Sequence, residues 1–214
     1  MNAYPVAYHV DPPEGDRNRL TVGFRLILAI PHLLLVGGPG FGLGVGGDRT
    51  GVLGSVAGVL AIFNWFVIVF TGRANQQMFE LQLLYLRWRA RALAYIALLR
   101  DEYPPFGDGD YPVSFEFPAV VENRNRWTVG FRLILVIPQV IVVIFLLLAW
   151  LVTAIIGWFA ILFTGRYPEG LWRFGEGVMR WTLRVEAYLL LLCDEYPPFS
   201  FDGAETGQQT SAAT

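Results

Sequence analysis

Lysine is absent from this chain of 214 residues: its 16 basic side chains are all arginine, set against 18 acidic ones, for a net charge of −2. A nucleic-acid-binding domain normally carries a basic excess, so this near-neutral total argues against one. Cysteine is almost missing too. The single Cys193 excludes an internal disulfide and any multi-cysteine metal centre. With only His9 and His32 for imidazole ligands, no histidine-rich metal centre is expected either. Charged residues of both signs make up 16% of the chain, where an ordinary soluble domain has about 25%. The first thirteen residues hold no basic segment followed by an apolar run, so no cleavable signal peptide is expected.

Apolar residues fill the space, at 54% of the chain with a mean hydropathy of +0.45. Such a composition points to a protein whose main solvent is lipid. The residues are also organised in two copies. Tyr4-Pro5-Val6 recurs as Tyr111-Pro112-Val113, and Arg17-Asn18-Arg19 with Thr21 to Leu28 recurs as Arg124-Asn125-Arg126 with Thr128 to Leu135, all at an offset of 107. Phe70-Thr71-Gly72-Arg73 returns as Phe163-Thr164-Gly165-Arg166 at an offset of 93, as do Trp88, Arg91 and Tyr95 in Trp181, Arg184 and Tyr188. Both copies close on Asp-Glu-Tyr-Pro-Pro-Phe, at Asp101 to Phe106 and Asp194 to Phe199. The change of offset is a 14-residue surplus in the first copy, within the glycine-rich stretch from Gly37 to Gly51.

Repeat 1 is therefore placed at 4–106 and repeat 2 at 111–201, with a small, polar, disordered tail at 202–214. Each copy opens on an alternating segment (Val6, Tyr8, Val10; Val113, Phe115, Phe117) that predicts a short strand. Long uncharged stretches follow at 26–47, 50–72 and 133–165. A bilayer core of roughly 30 Å needs about 20 helical residues, and 33 residues as one helix would run about 50 Å. Arginines stand before and after the apolar region of each copy, and only Arg49, between 26–47 and 50–72, falls inside one. By the positive-inside rule this pattern predicts a transmembrane helical hairpin in each copy, four crossings in all, with both termini cytoplasmic. The expected architecture is a mainly α-helical integral membrane protein of the cell membrane. It consists of two tandem parallel repeats, each a hairpin plus an amphipathic cytoplasmic helix, with short peripheral β-strands.

Chemistry-bearing residues are few. Gln76, Glu80, Arg87 and Arg91 share a helical face, and Glu169, Arg173, Arg180 and Arg184 repeat it. Such a helix suits an interface, arginines at phosphate level, or a solvated surface. Arg25 and Arg132 sit in apolar surroundings, where a guanidinium either clamps an anion bidentately or snorkels to the headgroups. Thr71-Gly72-Arg73 and its copy are expected to stop a helix, glycine as cap and arginine against the dipole. The four serines lie in no nucleophile elbow, and the paired acids at the helix ends have no neighbouring base.

Arg25-x-x-Leu28-x-Ile30-Pro31-His32, Phe-Thr-Gly-Arg, an Arg-Trp helix, a tyrosine and Asp-Glu-Tyr-Pro-Pro-Phe together resemble the bacterial membrane family called domain of unknown function 4389. The resemblance covers residues 4–201 and implies an integral membrane protein, often duplicated, without an assigned activity. Gln139 replaces the second histidine, which weakens any role needing two equivalent sites.

The expected function is a non-enzymatic membrane scaffold or accessory subunit, without cofactor or metal and without a nucleic-acid partner. It would engage anionic lipids through Arg25, Arg132, Arg87, Arg91, Arg180 and Arg184, with a protein partner or a second copy as further possibilities. The alternative is an oligomeric transporter or lipid-translocating channel.

Overall fold

The computed structural model describes residues 4–13, 15–40, 51–107, 109–117, 121–122 and 124–201. The two alternating segments become β1 (Ala7–Val10) and β2 (Val113–Glu116), paired antiparallel with Tyr8 opposite Phe115. Period-2 alternation fixes the faces. Tyr8, Val10, Val113 and Phe115 are buried, while His9, Ser114 and Glu116 are exposed on the other side. Each copy thus contributes one strand to a sheet that neither could make alone.

The first copy continues through α1 (Arg19–Gly23), α2 (Arg25–Leu28), α3 (Ile30–Val36), α4 (Gly51–Thr71) and α5 (Gln76–Ile96). The second has α6 (Arg126–Gly130), α7 (Arg132–Leu135), α8 (Ile137–Thr164) and α9 (Glu169–Leu189). Asn18 and Asn125 cap the entries, each accepting two backbone N–H groups. Pro31 and Pro138 stand in the first turns of α3 and α8, where a missing N–H costs little. Gly165 ends α8 in the left-handed region at φ 74°, and Gly72 follows α4 at φ 73°. Helices α5 and α9 stop well before their Pro-Pro pairs. Leu98 and Leu191 adopt positive φ there, held by burial in small apolar clusters with Val22 and Val129.

The expected hairpins are not formed. The uncharged stretch of the second copy is one course from Arg132 to Thr164, and Leu146 to Trp150, where a hairpin in this stretch would have to turn, are helical. Nothing there breaks a helix, since every residue from Gln139 to Ala149 is apolar or aromatic save Gln139 itself. In the first copy α3 ends at Val36, far too short to cross. At their respective offsets Val36 corresponds to Val143 and Gly51 to Ile144, so α3 and α4 together match α8 with a segment inserted between them. Gly51 sits directly against the point of departure: a methyl built on it would lie 2.5 Å from the Gly37 nitrogen and 2.6 Å from the Leu35 carbonyl. The helix is interrupted and resumed, not folded back. Residues 41–50 and the tail 202–214 lie outside the described residues. Among the described residues two helices, then, are long and apolar enough to cross a membrane: α4, and the 33-residue run Arg132–Thr164.

Helices α5 and α9 form the middle of the molecule. They run antiparallel, Arg89 meeting Glu186 while Leu99, just past α5, lies against Trp172 and Gly175. β1 packs on α9 and β2 on α5; α3 and α4 pack on α5, and α8 on α9. The core is built from α5 and α9, with Leu86, Leu93, Leu183 and Val185 fully buried. Burying each such side chain contributes about 1.5–3 kcal/mol.

The two long helical courses are antiparallel, and each ends on the other copy's entry. Arg17 N–H donates to the Gly165 carbonyl at 2.8 Å, and Arg124 N–H to the Gly72 carbonyl at 3.0 Å. Trp158 donates to Val22 O and Trp65 to Val129 O, both at 3.0 Å. The two copies are therefore interlocked through sheet, core and helix ends.

Candidate functional site

Arg25 and Arg132, the two arginines expected in apolar surroundings, are buried at 2% and 1% exposure and are already partnered. Arg25 donates through Nη2 to Asp101 Oδ1 at 2.5 Å and through Nη1 to the carbonyls of Tyr95 and Arg100. Its guanidinium lies 4.5 Å from the centre of the Tyr95 ring. Arg17 takes the same carboxylate bidentately, at 2.7 Å on each oxygen. The second copy repeats the cluster: Arg132 and Arg124 converge on Asp194, with Arg132 4.2 Å over Tyr188. Burial opposes ionisation of Asp101 and Asp194, but the hydrogen bonds and charges of the arginine pairs outweigh it. Both carboxyls are held below the usual range. Two guanidiniums on one carboxylate leave each cluster net positive and rigid, tying the entry helices to the ends of α5 and α9.

The arginine stripe on α9 also points inward. Arg180 donates to Tyr8 O, Phe201 O and Glu176 Oε1. Arg184 reaches the carbonyls of Val6 and Ser200 and lies 5.4 Å from the Tyr4 ring centre. Strand β1, together with the segment leading into it and residues 197–201, covers this face, so it is not the open amphipathic surface the spacing predicts. Arg87 and Arg91 on α5 are half-buried, Arg91 donating to Gly107 O at 2.8 Å. The six expected lipid contacts are thus not gathered on one surface.

His32 and Gln139 perform one task. His32 Nδ1 accepts the Trp88 indole N–H at 3.0 Å, and Gln139 Oε1 accepts that of Trp181 at 2.8 Å. Gln139 also donates to Pro197 O at 2.5 Å. Residues of different type but equal reach thus hold the same tryptophan in the two halves.

Exposed among the other described arginines are Arg173, which pairs with Glu169 on α9, and four at the helix ends, Arg19, Arg73, Arg126 and Arg166. These four form two groups at opposite ends of the long helices. Methyls built on Gly72 and Gly165 would lie 3.0 Å from Arg126 Nε and 3.3 Å from Arg19 Nη2. Each helix C-terminus therefore carries one arginine of its own copy and one of the other, as its dipole favours. Sequence reasoning placed Arg73 and Arg166 there but had no local signal for Arg19 and Arg126, which lie 146 and 54 residues from the glycines they approach.

Between these ends the long helices are apolar and bare. Ile141, Ile144, Phe145, Leu148, Val152, Ile155, Phe159 and Phe163 of α8 share one exposed face, opposite the buried Val143, Trp150, Gly157 and Ile161. On α4 the exposed face is Val52, Val56, Val59, Phe63, Phe66 and Phe70. Only 33% of α4's most apolar window and 17% of that in Arg132–Thr164 is buried. Among the described residues no three His, Cys, Asp or Glu side chains are placed to hold a metal ion. A cleft of about 640 Å³ beside Arg166, Tyr167 and Trp172 holds the ion pairs Arg166–Asp16 and Arg173–Glu169.

Fold and site together define a mainly helical protein with, among the described residues, a small two-stranded sheet, two helices long and apolar enough to cross a membrane, and arginines at their ends. The chain belongs to the family described as Domain of unknown function (DUF4389), which matches it twice, over residues 50–107 and 126–200, together more than half of its length. No curated protein and no solved structure matches it.

Proposed function

We propose that the protein is a non-enzymatic membrane scaffold or accessory subunit, seated in lipid by the exposed faces of α4 and α8 and held at anionic headgroups by Arg19, Arg73, Arg126 and Arg166. The observation that carries this reading is the bare apolar face of the Arg132–Thr164 run in a chain that otherwise builds a well-buried core. A soluble protein leaves few contiguous apolar patches above a few hundred Å², and a helix that merely served the core would be mostly covered. The end arginines add an electrostatic share of about 1 kcal/mol each near an anionic surface. By the positive-inside rule they favour the cytoplasmic leaflet. Arg25, Arg132, Arg180 and Arg184 serve the interior in this reading, and Arg87 and Arg91 remain as secondary headgroup contacts.

The test is vesicle flotation at two lipid compositions. The protein is expected to float with vesicles and to resist carbonate extraction. Replacing the four end arginines with glutamine is expected to weaken retention on phosphatidylglycerol-containing vesicles far more than on neutral ones. Quantitative release by carbonate without detergent would end the reading.

A further inference from the structure

We infer that α4 and the Arg132–Thr164 run lie flat in one leaflet, side by side and antiparallel, and do not cross the bilayer. This inference rests on the membrane reading above.

The symmetry of the molecule carries it. Tyr8 pairs with Phe115 in the sheet, and these residues are each other's counterparts at the offset of 107. The twofold relating the halves therefore passes through that pair, normal to the sheet, since an antiparallel ladder has its dyads in that direction. The same axis passes between the antiparallel α5 and α9 and exchanges the two long helical courses. Along it the molecule is layered: strands outermost, α5 and α9 in the middle, then the apolar helices. The outer face of the sheet carries His9, Ser114 and Glu116, all exposed.

If α4 and α8 crossed the bilayer as antiparallel spans, this axis would lie in the membrane plane. Glu116 and His9 would then face hydrocarbon near mid-depth, and so would the exposed Gln77 and Glu80 of α5. Each carboxylate among them would cost several kcal/mol at the bilayer centre. With the axis along the membrane normal the conflict disappears: the sheet faces water and both apolar faces point into the same leaflet. Length agrees. The 33-residue run is about 50 Å long, against a hydrocarbon core of roughly 30 Å, a mismatch that has no meaning for a helix lying flat. Charge agrees as well. Crossing would divide the end arginines evenly, Arg73 and Arg126 on one side with Arg19 and Arg166 on the other, which gives no positive-inside preference. Lying flat, all four stand at one depth around the rim, beside the exposed Trp127, Phe24 and Phe131. Aromatic rings favour that level.

The experiment uses the full chain carrying Thr71→Cys and Thr164→Cys together, at the exposed C-terminal ends of the two helices. The native Cys193 is buried and serves as the silent background. The protein is reconstituted into sealed phosphatidylglycerol-containing vesicles and treated with a membrane-impermeant maleimide, and intact masses are read before and after detergent. Flat insertion is expected to give molecules with two labels or none before detergent, whatever the mixture of orientations. Crossing gives one label on every molecule, and that result would overturn the proposal. The pair Arg73→Cys with Arg166→Cys gives the same readout if the threonine variants fold poorly, because the hydroxyls of Thr71 and Thr164 bond the Val67 and Ala160 carbonyls. Protein washed off the vesicles by carbonate would overturn the membrane reading itself, and is told apart from a single label.

Discussion

Arg89 and Glu186 meet as a buried bidentate pair, at 2.7 Å on each carboxylate oxygen, where α5 crosses α9. Their counterparts in the opposite halves are Thr182 and Leu93, which cannot form such a pair. Near the symmetry axis, therefore, the halves are chemically different. Arg89 has a second duty, since it also donates to the carbonyls of Val36, Gly38 and Gly40 where the interrupted helix breaks off.

Arg89→Met is expected to cost about 3–5 kcal/mol, because it breaks a buried bidentate ion pair and removes the donor of three carbonyls. Adding Glu186→Leu is expected to recover part of the loss but not all, since three carbonyls still lack their donor. Denaturant unfolding of the two variants in detergent checks this. Equal stability of single and double mutants would contradict it.

Acid should weaken the fold through Asp101 and Asp194. Both carboxyls are held low in the folded state by arginine pairs. The unfolded chain consequently binds more protons in the carboxylate range, so stability rises with pH across it. The contribution is fully present above the ordinary carboxylate pKa of about 4 and is lost as pH falls through the lower folded-state values. The Asp101→Asn and Asp194→Asn double variant is expected to be less stable at neutral pH and to have a flatter acid profile. Thermal midpoints from pH 2.5 upward, about a half-unit apart, give the comparison.

His32→Gln should leave the protein within about 1 kcal/mol of the native stability, because Gln139 already holds the equivalent tryptophan with an amide. His32→Leu should cost roughly 1–3 kcal/mol by stranding the half-buried Trp88 indole N–H beside the rings of Tyr103 and Phe106. A glutamine variant as unstable as the leucine one would assign the position some other role.

Cys193 is buried, contacts the Tyr4 hydroxyl at 3.3 Å, and has its thiol pushed up to about 11 by burial. At pH 8 its thiolate fraction is lower than that of a free cysteine by a factor of roughly 100, so maleimide should leave it untouched until the chain unfolds. Mass spectrometry with and without denaturant decides this.

The strands, the glycine caps and the membrane-compatible helices were legible because each is written locally, in alternation, in a single capping residue or in an uncharged run. The hairpin expectation failed for a physical reason. A run of 33 uncharged residues fits two tight crossings or one long helix equally well by composition, and what separates them is packing against α9 and α1. Arg25 announced itself as a buried cation, but its acceptor Asp101 stands 76 residues away in a motif that reads as a mere helix stop. Arg180 and Arg184 looked like a headgroup face because helical spacing does not reveal that a strand from the far end of the chain lies over them. Leu98 and Leu191 gave no warning of their left-handed backbone, since leucine is not a turn residue and only tertiary burial holds it there.

The exchange of helix ends has a consequence for chain length. A polypeptide carrying a single copy would leave its terminal Gly carbonyl without the N–H that now comes from the other copy, and its strand without a partner. It could complete itself only against a second molecule placed about the same dyad. The tandem chain is in this sense a tethered homodimer. Covalent connection replaces a concentration-dependent encounter with an effective concentration on the order of millimolar. Once tethered, the two partners were free to diverge, as the Arg89–Glu186 pair and the inserted segment in only one of them record.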